Sequence, residues 1–383
     1  MPPNVQTPKK GEYVSRIFES MMLTGTQESD RREPSSSDSN QKEATTISDV
    51  RGKKAESAIL TGTKESSEDS SFAHQKESKS IVTNGRGVIY SVAFLDDGKH
   101  VVSGGREGKI RRWRVEDGRE VGTPMNAGSD VYSIAVSPDE KWIVSGTRNG
   151  MVAMWNAENH SKVTKWKVHN DWVRAVDVSP DGTRIATGSD DGTVCVWSLS
   201  TGERLLGPFK HDDSVVAVKF SPNGCLIATA TWEQDIRVYD SHNGGLLLEF
   251  PVQVNSALNQ SLAWASDSKQ LFALSRDGNI HCLNVSTRTT LSKWAIHSSK
   301  DPRCIALTSN GTFIAVNANS SVSFWDTATH EQIGPVIKYT RNMVCMALSA
   351  NYDLVVGGGE RITLQGLYGI LPHHHLHNVC VCA

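Results

Sequence analysis

Between residues 88 and 367 the chain alternates apolar and polar positions in short runs, and the runs repeat. The stretch VRAVDVSPDGTRIATGSDDGTVCVW (173–197) holds three such runs, separated by SPDG and DDG. A period of two puts every second side chain on one face of a strand, and Asp-Gly between two runs marks a tight hairpin. The hairpin recurs every 42 residues as SGGREGKIRRW (103–113), SGTRNGMVAMW (145–155) and TGSDDGTVCVW (187–197). Trp113, Trp155, Trp197 and Tyr239 keep that spacing; Leu283 follows after 44 residues and Trp325 after 42 more. A second marker gives the number of units: FLDDGK at 94, VSPDEK at 136, VSPDGT at 178, FSPNGC at 220, WASDSK at 264, LTSNGT at 307 and LSANYD at 348. Seven units of this length each hold four strands of five or six residues with their turns.

A strand-turn-strand unit of this length, ending in Trp after an Asp-containing turn, resembles the WD40 repeat. The resemblance covers residues 80 to about 367. The terminal Asp after Trp survives only at Asp326, and at Asp240 after Tyr239; the "GH" opening survives only as His169, His211 and His297, none preceded by Gly. The fold expected is all-β, a seven-bladed WD40-type β-propeller over 80–370. The last unit, RITLQ (361–365), is followed by GLYGILPHHHLHNVCVCA, with Pro372 and a polar run in place of a fourth strand. The segment KSIVTN before the first unit is the expected donor of that strand, through Ile81 and Val82, so that no sheet edge is left open.

The resemblance implies a structural tetrad in the best-formed unit: His169, Thr187, Asp191 and Trp197, a hydrogen-bond chain under the turn. The same residue types suggest a hydrolase, but a working triad also needs an oxyanion hole and a pocket, which nothing in the sequence specifies. The tetrad positions also vary between units. The Asp191 position carries Glu107, Asn149, Glu233 and Asp277, and the Thr187 position Ser103, Ser145, Thr229 and Ala273. No catalytic residue, cofactor or metal is expected.

In such a propeller, the loops before each first strand and the turns between second and third strands share one rim, the top face. Three positions per repeat point there. They place Tyr90, Arg106, Tyr132, Arg148, Trp172, Arg174, Trp232, Arg276 and Arg303 on a partner-binding surface. Arg, Trp and Tyr dominate protein-binding hot spots.

Composition changes near residue 80. The first 80 residues contain 22 Ser or Thr, 13 Asp or Glu, 12 Lys or Arg and three aromatics, without Trp. That is too little apolar surface to offset the entropy of ordering, so 1–79 reads as a disordered Ser/Thr-rich tail. Within it ESMMLTGTQES (19–29) recurs as ESAILTGTKES (56–66). Residues 371–383 read as a short irregular tail whose His and Cys nothing organises into a metal site. Seven cysteines without metal-type CxxC spacing, and no signal-like apolar stretch at the N-terminus, point to a cytoplasmic or nuclear protein without a membrane span.

The expected function is a non-catalytic scaffold or adaptor that binds partner proteins or peptides on the top face. A second reading is a reader of phosphorylated or acidic motifs, for example the substrate receptor of a ubiquitin ligase. A third, RNA binding, lacks a basic stripe: the whole chain carries 40 basic against 42 acidic residues. The sequence sets no oligomeric state.

Overall fold

The computed structural model describes residues 79–81, 87–95, 98–254, 260–296, 302–308 and 310–367. The two tails, Val82, Leu258, His297 and Asp301 lie outside the described residues. Strand β1 is Lys79–Ile81. The other strands form seven blades. Blade 1 holds β2 (Ile89–Phe94), β3 (His100–Gly105), β4 (Lys109–Arg114) and β5 (Glu120–Asn126); blade 2 holds β6 (Val131–Val136), β7 (Trp142–Thr147), β8 (Met151–Asn156) and β9 (Lys162–Lys167). Blade 3 comprises β10 (Val173–Val178), β11 (Arg184–Ser189), β12 (Thr193–Ser198) and β13 (Arg204–Lys210), and blade 4 comprises β14 (Val215–Phe220), β15 (Leu226–Thr231), β16 (Ile236–Asp240) and β17 (Leu246–Phe250). In blade 5 are β18 (Leu262–Trp264), β19 (Gln270–Leu274), β20 (Asn279–Asn284) and β21 (Thr289–Ala295). Blade 6 follows with β22 (Pro302–Leu307), β23 (Phe313–Ala318), β24 (Ser321–Asp326) and β25 (Gln332–Lys338); blade 7 has β26 (Met343–Leu348), β27 (Leu354–Gly359) and β28 (Ile362–Gly366). No helix occurs among the described residues.

The core lies between blades. Ile110, Val131, Ile143 and Trp155 join blades 1 and 2 in one cluster, and Val144, Val173, Ile185 and Trp197 join blades 2 and 3 in another. Second and third strands are therefore buried on both faces, as in β23, where all six residues are buried, while outermost strands such as β13 stay largely exposed.

The repeated hydroxyl-glycine pair of the second strand explains how this packing is reached. The hydroxyl faces its own blade: the indole Nε1 of Trp113, Trp155 and Trp197 donates to Ser103 (2.8 Å), Ser145 (3.0 Å) and Thr187 (2.9 Å). The next residue points the opposite way, toward the following blade. A Cβ on Gly146 would sit 2.6 Å from the Val173 methyl, and one on Gly188 2.7 Å from that of Val215, so glycine sets how closely blades approach. Nearer the axis, Ser91 and Ser133 accept the backbone N–H of Ile134 and Val176 on the next blade, each at 3.0 Å.

Blade 7 draws on both ends of the described chain. Lys79, Ser80 and Ile81 pair antiparallel with Leu364, Thr363 and Ile362. Lys79 stands 42 residues before Val121 of β5, so β1 holds the fourth-strand position of the repeat.

Deleting residues 1–87 removes β1 and leaves β28 as an open edge. Its expected effect is a melting temperature lower by about 2–4 °C for each kcal/mol lost, with self-association visible by gel filtration. An unchanged melt would show that the three-residue ladder contributes nothing.

Candidate functional site

The turns between second and third strands fold back onto the segment leading into the first strand. Arg106, Arg148, Asp190 and Trp232 donate their backbone N–H to the carbonyls of Val88, Asp130, Trp172 and Ser214, at 2.9–3.0 Å. Repetition of this bond around the ring puts turns and entry loops on one rim. The turns are tight: at Gly150, where φ is +76°, a Cβ would meet the His169 carbonyl at 2.3 Å.

Under the blade 3 turn, four polar side chains form a chain. His169 Nδ1 lies 3.1 Å from an Asp191 carboxylate oxygen, and its Nε2 lies 2.7 Å from the Thr187 hydroxyl. The carboxylate can only accept, so Nδ1 donates and Nε2 accepts the Thr187 proton; that hydroxyl oxygen takes the Trp197 N–H. Burial opposes ionisation of Asp191, but the hydrogen bonds from His169, Thr193 and the Asn170 N–H prevail and lower its carboxyl to about 2.

Blade 4 carries a variant that the repeat alignment misassigned. Glu233, at the Asp191 position, is exposed, and its carboxylate lies 3.9 Å from Arg276. The carboxylate near His211 belongs to Asp235, two residues on, with 4.0 Å between Oδ1 and Nδ1. Asp235 also accepts from the Thr231 hydroxyl at 3.2 Å. The His211 ring is buried; that burial, reinforced by the Arg237 charge, pushes it down to about 4. In blade 6, where Val316 replaces the hydroxyl, Trp325 donates instead to Ser323 at 2.9 Å.

Three rim residues expected to meet partners are instead buried. Tyr90 is 5% exposed, Tyr132 3% and Arg174 0%. Tyr90 stacks on Tyr132 with centroids 4.9 Å apart, and Tyr132 on Trp172 at 5.0 Å, giving one aromatic ladder across blades 1 to 3. Arg174 lies 4.4 Å from the Trp172 ring centre and donates to both carboxylate oxygens of Asp190. Tyr90 finds its equivalent Tyr132 on the next blade at stacking distance, and Tyr132 finds Trp172, at the entry to the first strand of blade 3, so these rings bind each other. The structure thus corrects the expectation for Tyr90, Tyr132 and Arg174: they stiffen the rim.

Arg106, Arg148 and Arg276 are exposed. Arg148 sits 4.5 Å over the half-buried Trp172 and 3.7 Å from Asp130; Arg276 reaches Glu233 at 3.9 Å. Trp232 is half-buried against the core between blades 4 and 5, and Arg303 is half-buried in β22. One rim cation escaped the sequence reading. Arg361 stands exposed in the β27–β28 turn, which is two residues shorter than its blade 1 counterpart, so the repeat spacing does not find it.

The first strands of all blades line an axial cavity of about 550 Å³. Its charged pair is internal, with Lys219 Nζ 3.1 Å from Asp177. Burial pushes the Cys195 and Cys282 thiols up to about 11, which keeps them protonated at neutral pH and poor as nucleophiles. No group of three His, Cys, Asp or Glu able to hold a metal occurs among the described residues.

Comparison with known proteins adds two matches. A family model described as the IFT122 first beta-propeller matches residues 130–365, and one described as WD domain, G-beta repeat, matches residues 76–114. No curated protein matches the chain.

Replacing His169 or Asp191 with Ala strands buried partners and is expected to cost roughly 1–3 kcal/mol each; equal chemical-denaturation midpoints for wild type and both variants would refute this. His211 supplies a pH signature. Its proton affinity is lower when folded, so its stabilising contribution is complete above about pH 6.5 and is lost as pH falls toward about 4. By pH 4.5 the loss is on the order of 2–3 kcal/mol. Thermal melts from pH 7.5 to 4.5 should show a shallower decline for His211→Gln than for wild type.

Proposed function

The chain belongs to the family described as the IFT122 first beta-propeller and is a WD40-type propeller; from that premise we propose that it is a non-catalytic scaffold holding partner proteins or peptides on its loop-and-turn rim. The observation that carries this is the division of labour at the rim. Buried Tyr90, Tyr132 and Arg174 lock three blades together, while Arg106, Arg148 and Arg276 present their guanidinium groups outward. A preorganised surface loses less entropy when a partner docks, and Arg is among the side chains that most often carry interface energy.

The proposal assigns no reaction. The His169–Asp191–Thr187 chain is consumed by its own hydrogen bonds, and its imidazole is buried under the turn. Nucleic acid is disfavoured as a partner because most rim cations are balanced by nearby carboxylates, as Arg148 is by Asp130 and Arg174 by Asp190.

The test is charge reversal of Arg106, Arg148 and Arg276 to Glu in one chain, followed by affinity capture from cells and mass spectrometry. The expected result is loss of a defined subset of partners at unchanged melting temperature. An identical partner set would overturn the proposal.

A further inference from the structure

The rim is divided by charge. On blades 7, 1 and 2, which are consecutive around the ring, the second-to-third-strand turns expose Arg361, Arg106 and Arg148. Neither Arg361 nor Arg106 takes part in an ion pair among the described residues. Carboxylates of the same arc are already engaged. Glu107 is held by Arg111 at 2.7 Å and Lys109 at 3.1 Å, Asp130 faces Arg148 at 3.7 Å, and Glu360 is paired with Arg341.

The far side has the opposite character. Blade 3 neutralises itself, with Asp190 1% exposed against Arg174. Blade 4 presents Asp212, which is exposed and in no ion pair among the described residues, and Glu233, whose side chain is 53% exposed and pairs with Arg276 of blade 5 at 3.9 Å. A cationic arc over blades 7, 1 and 2 therefore lies across the rim from an acidic sector on blade 4. Such a distribution orients a charged ligand before contact and selects one polarity of docking.

We infer that the arc formed by Arg361, Arg106 and Arg148 is the docking site for a carboxylate-rich segment, Asp or Glu side chains spaced along an extended stretch of a partner protein. This rests on the rim being the contact surface and names the chemistry that the surface takes. Separate arginines on separate turns suit separate monoanions along a peptide. A phosphate dianion draws its affinity from two uncommitted guanidinium groups side by side. Here the two uncommitted arginines, Arg361 and Arg106, stand on the turns of two different blades, and Asp130 stands beside Arg148.

The test is fluorescence anisotropy with the full chain and three labelled Gly/Ser peptides, carrying four spaced Glu, four Gln or four phosphoserines. The Glu peptide binds, the Gln peptide binds at least about tenfold more weakly, and raising salt weakens the Glu complex. Arg106→Glu combined with Arg361→Glu lowers Glu-peptide affinity at least about tenfold, whereas Arg276→Glu changes it less than about threefold. Equal binding of Glu and Gln peptides, no measurable binding, equal losses on both sides of the rim, or a phosphoserine peptide tighter by about tenfold would each overturn the inference. Loss of partners on reversing the rim arginines without Glu-peptide binding would sink only the acidic chemistry. Glu-peptide binding with an unchanged partner set would sink only the scaffold reading.

Discussion

Everything in this molecule depends on how closely one blade can lie against the next. The hydroxyl-glycine dipeptide of the second strand sets that distance. Its hydroxyl anchors the indole of the same blade, as Thr187 anchors Trp197, and its glycine clears space for the first valine of the following blade, as Gly188 does for Val215. The two requirements act on opposite faces of one strand, so they must fall on adjacent residues. Blade 4 shows the tolerance of the device, with Ala230 replacing the glycine at 0% exposure.

Close approach brings the innermost strands together near the axis, and the rim inherits the result. Once first strands sit side by side, the residue one step into each meets its neighbours. Where those residues are Tyr90 and Tyr132, with Trp172 at the next blade's entry, they stack; where they are Val216 or Val344, they fill the core. The ladder thus spans blades 1 to 3 and gives one sector of the rim a rigid floor. Arg148 rests on its last ring, so a cation that faces solvent is also held in place. Scaffold and contact surface are separate residues of one turn, which lets the surface vary while the fold persists.

The chemistry beneath the turns is structural because its groups satisfy one another. In blade 3 each donor and acceptor from Trp197 to Asp191 has its partner, and no proton is left to be moved to a substrate. Blade 4 reaches a looser version with Asp235 placed at the start of the third strand, and its imidazole is held neutral by burial. Repeat alignment selected Glu233 because it counts positions along the turn, whereas the carboxylate that serves His211 is chosen by reach across it.

The sequence by itself determined the number of blades and the strands within each, because periodic alternation and local turns act over fewer than 50 residues, while the tetrad of blade 3 was implied by the resemblance to the WD40 repeat. The sequence also named the exposed arginines at 106, 148 and 276, although at the same turn position Asp190 turns inward to Arg174 and Trp232 packs against the core. Only the tertiary structure decided which rim residues are available to a partner. Tyr90, Tyr132 and Arg174 share their repeat position with buried Val216 and Val344 and with half-buried Gln260 and Arg303, and they touch side chains about 42 residues away on the adjoining blade. Arg361 likewise gains its place from the shortening of one turn and the juxtaposition of the last blade with the first. Side-chain exposure on a closed ring is set between repeats, and a period read along one chain carries information only within them.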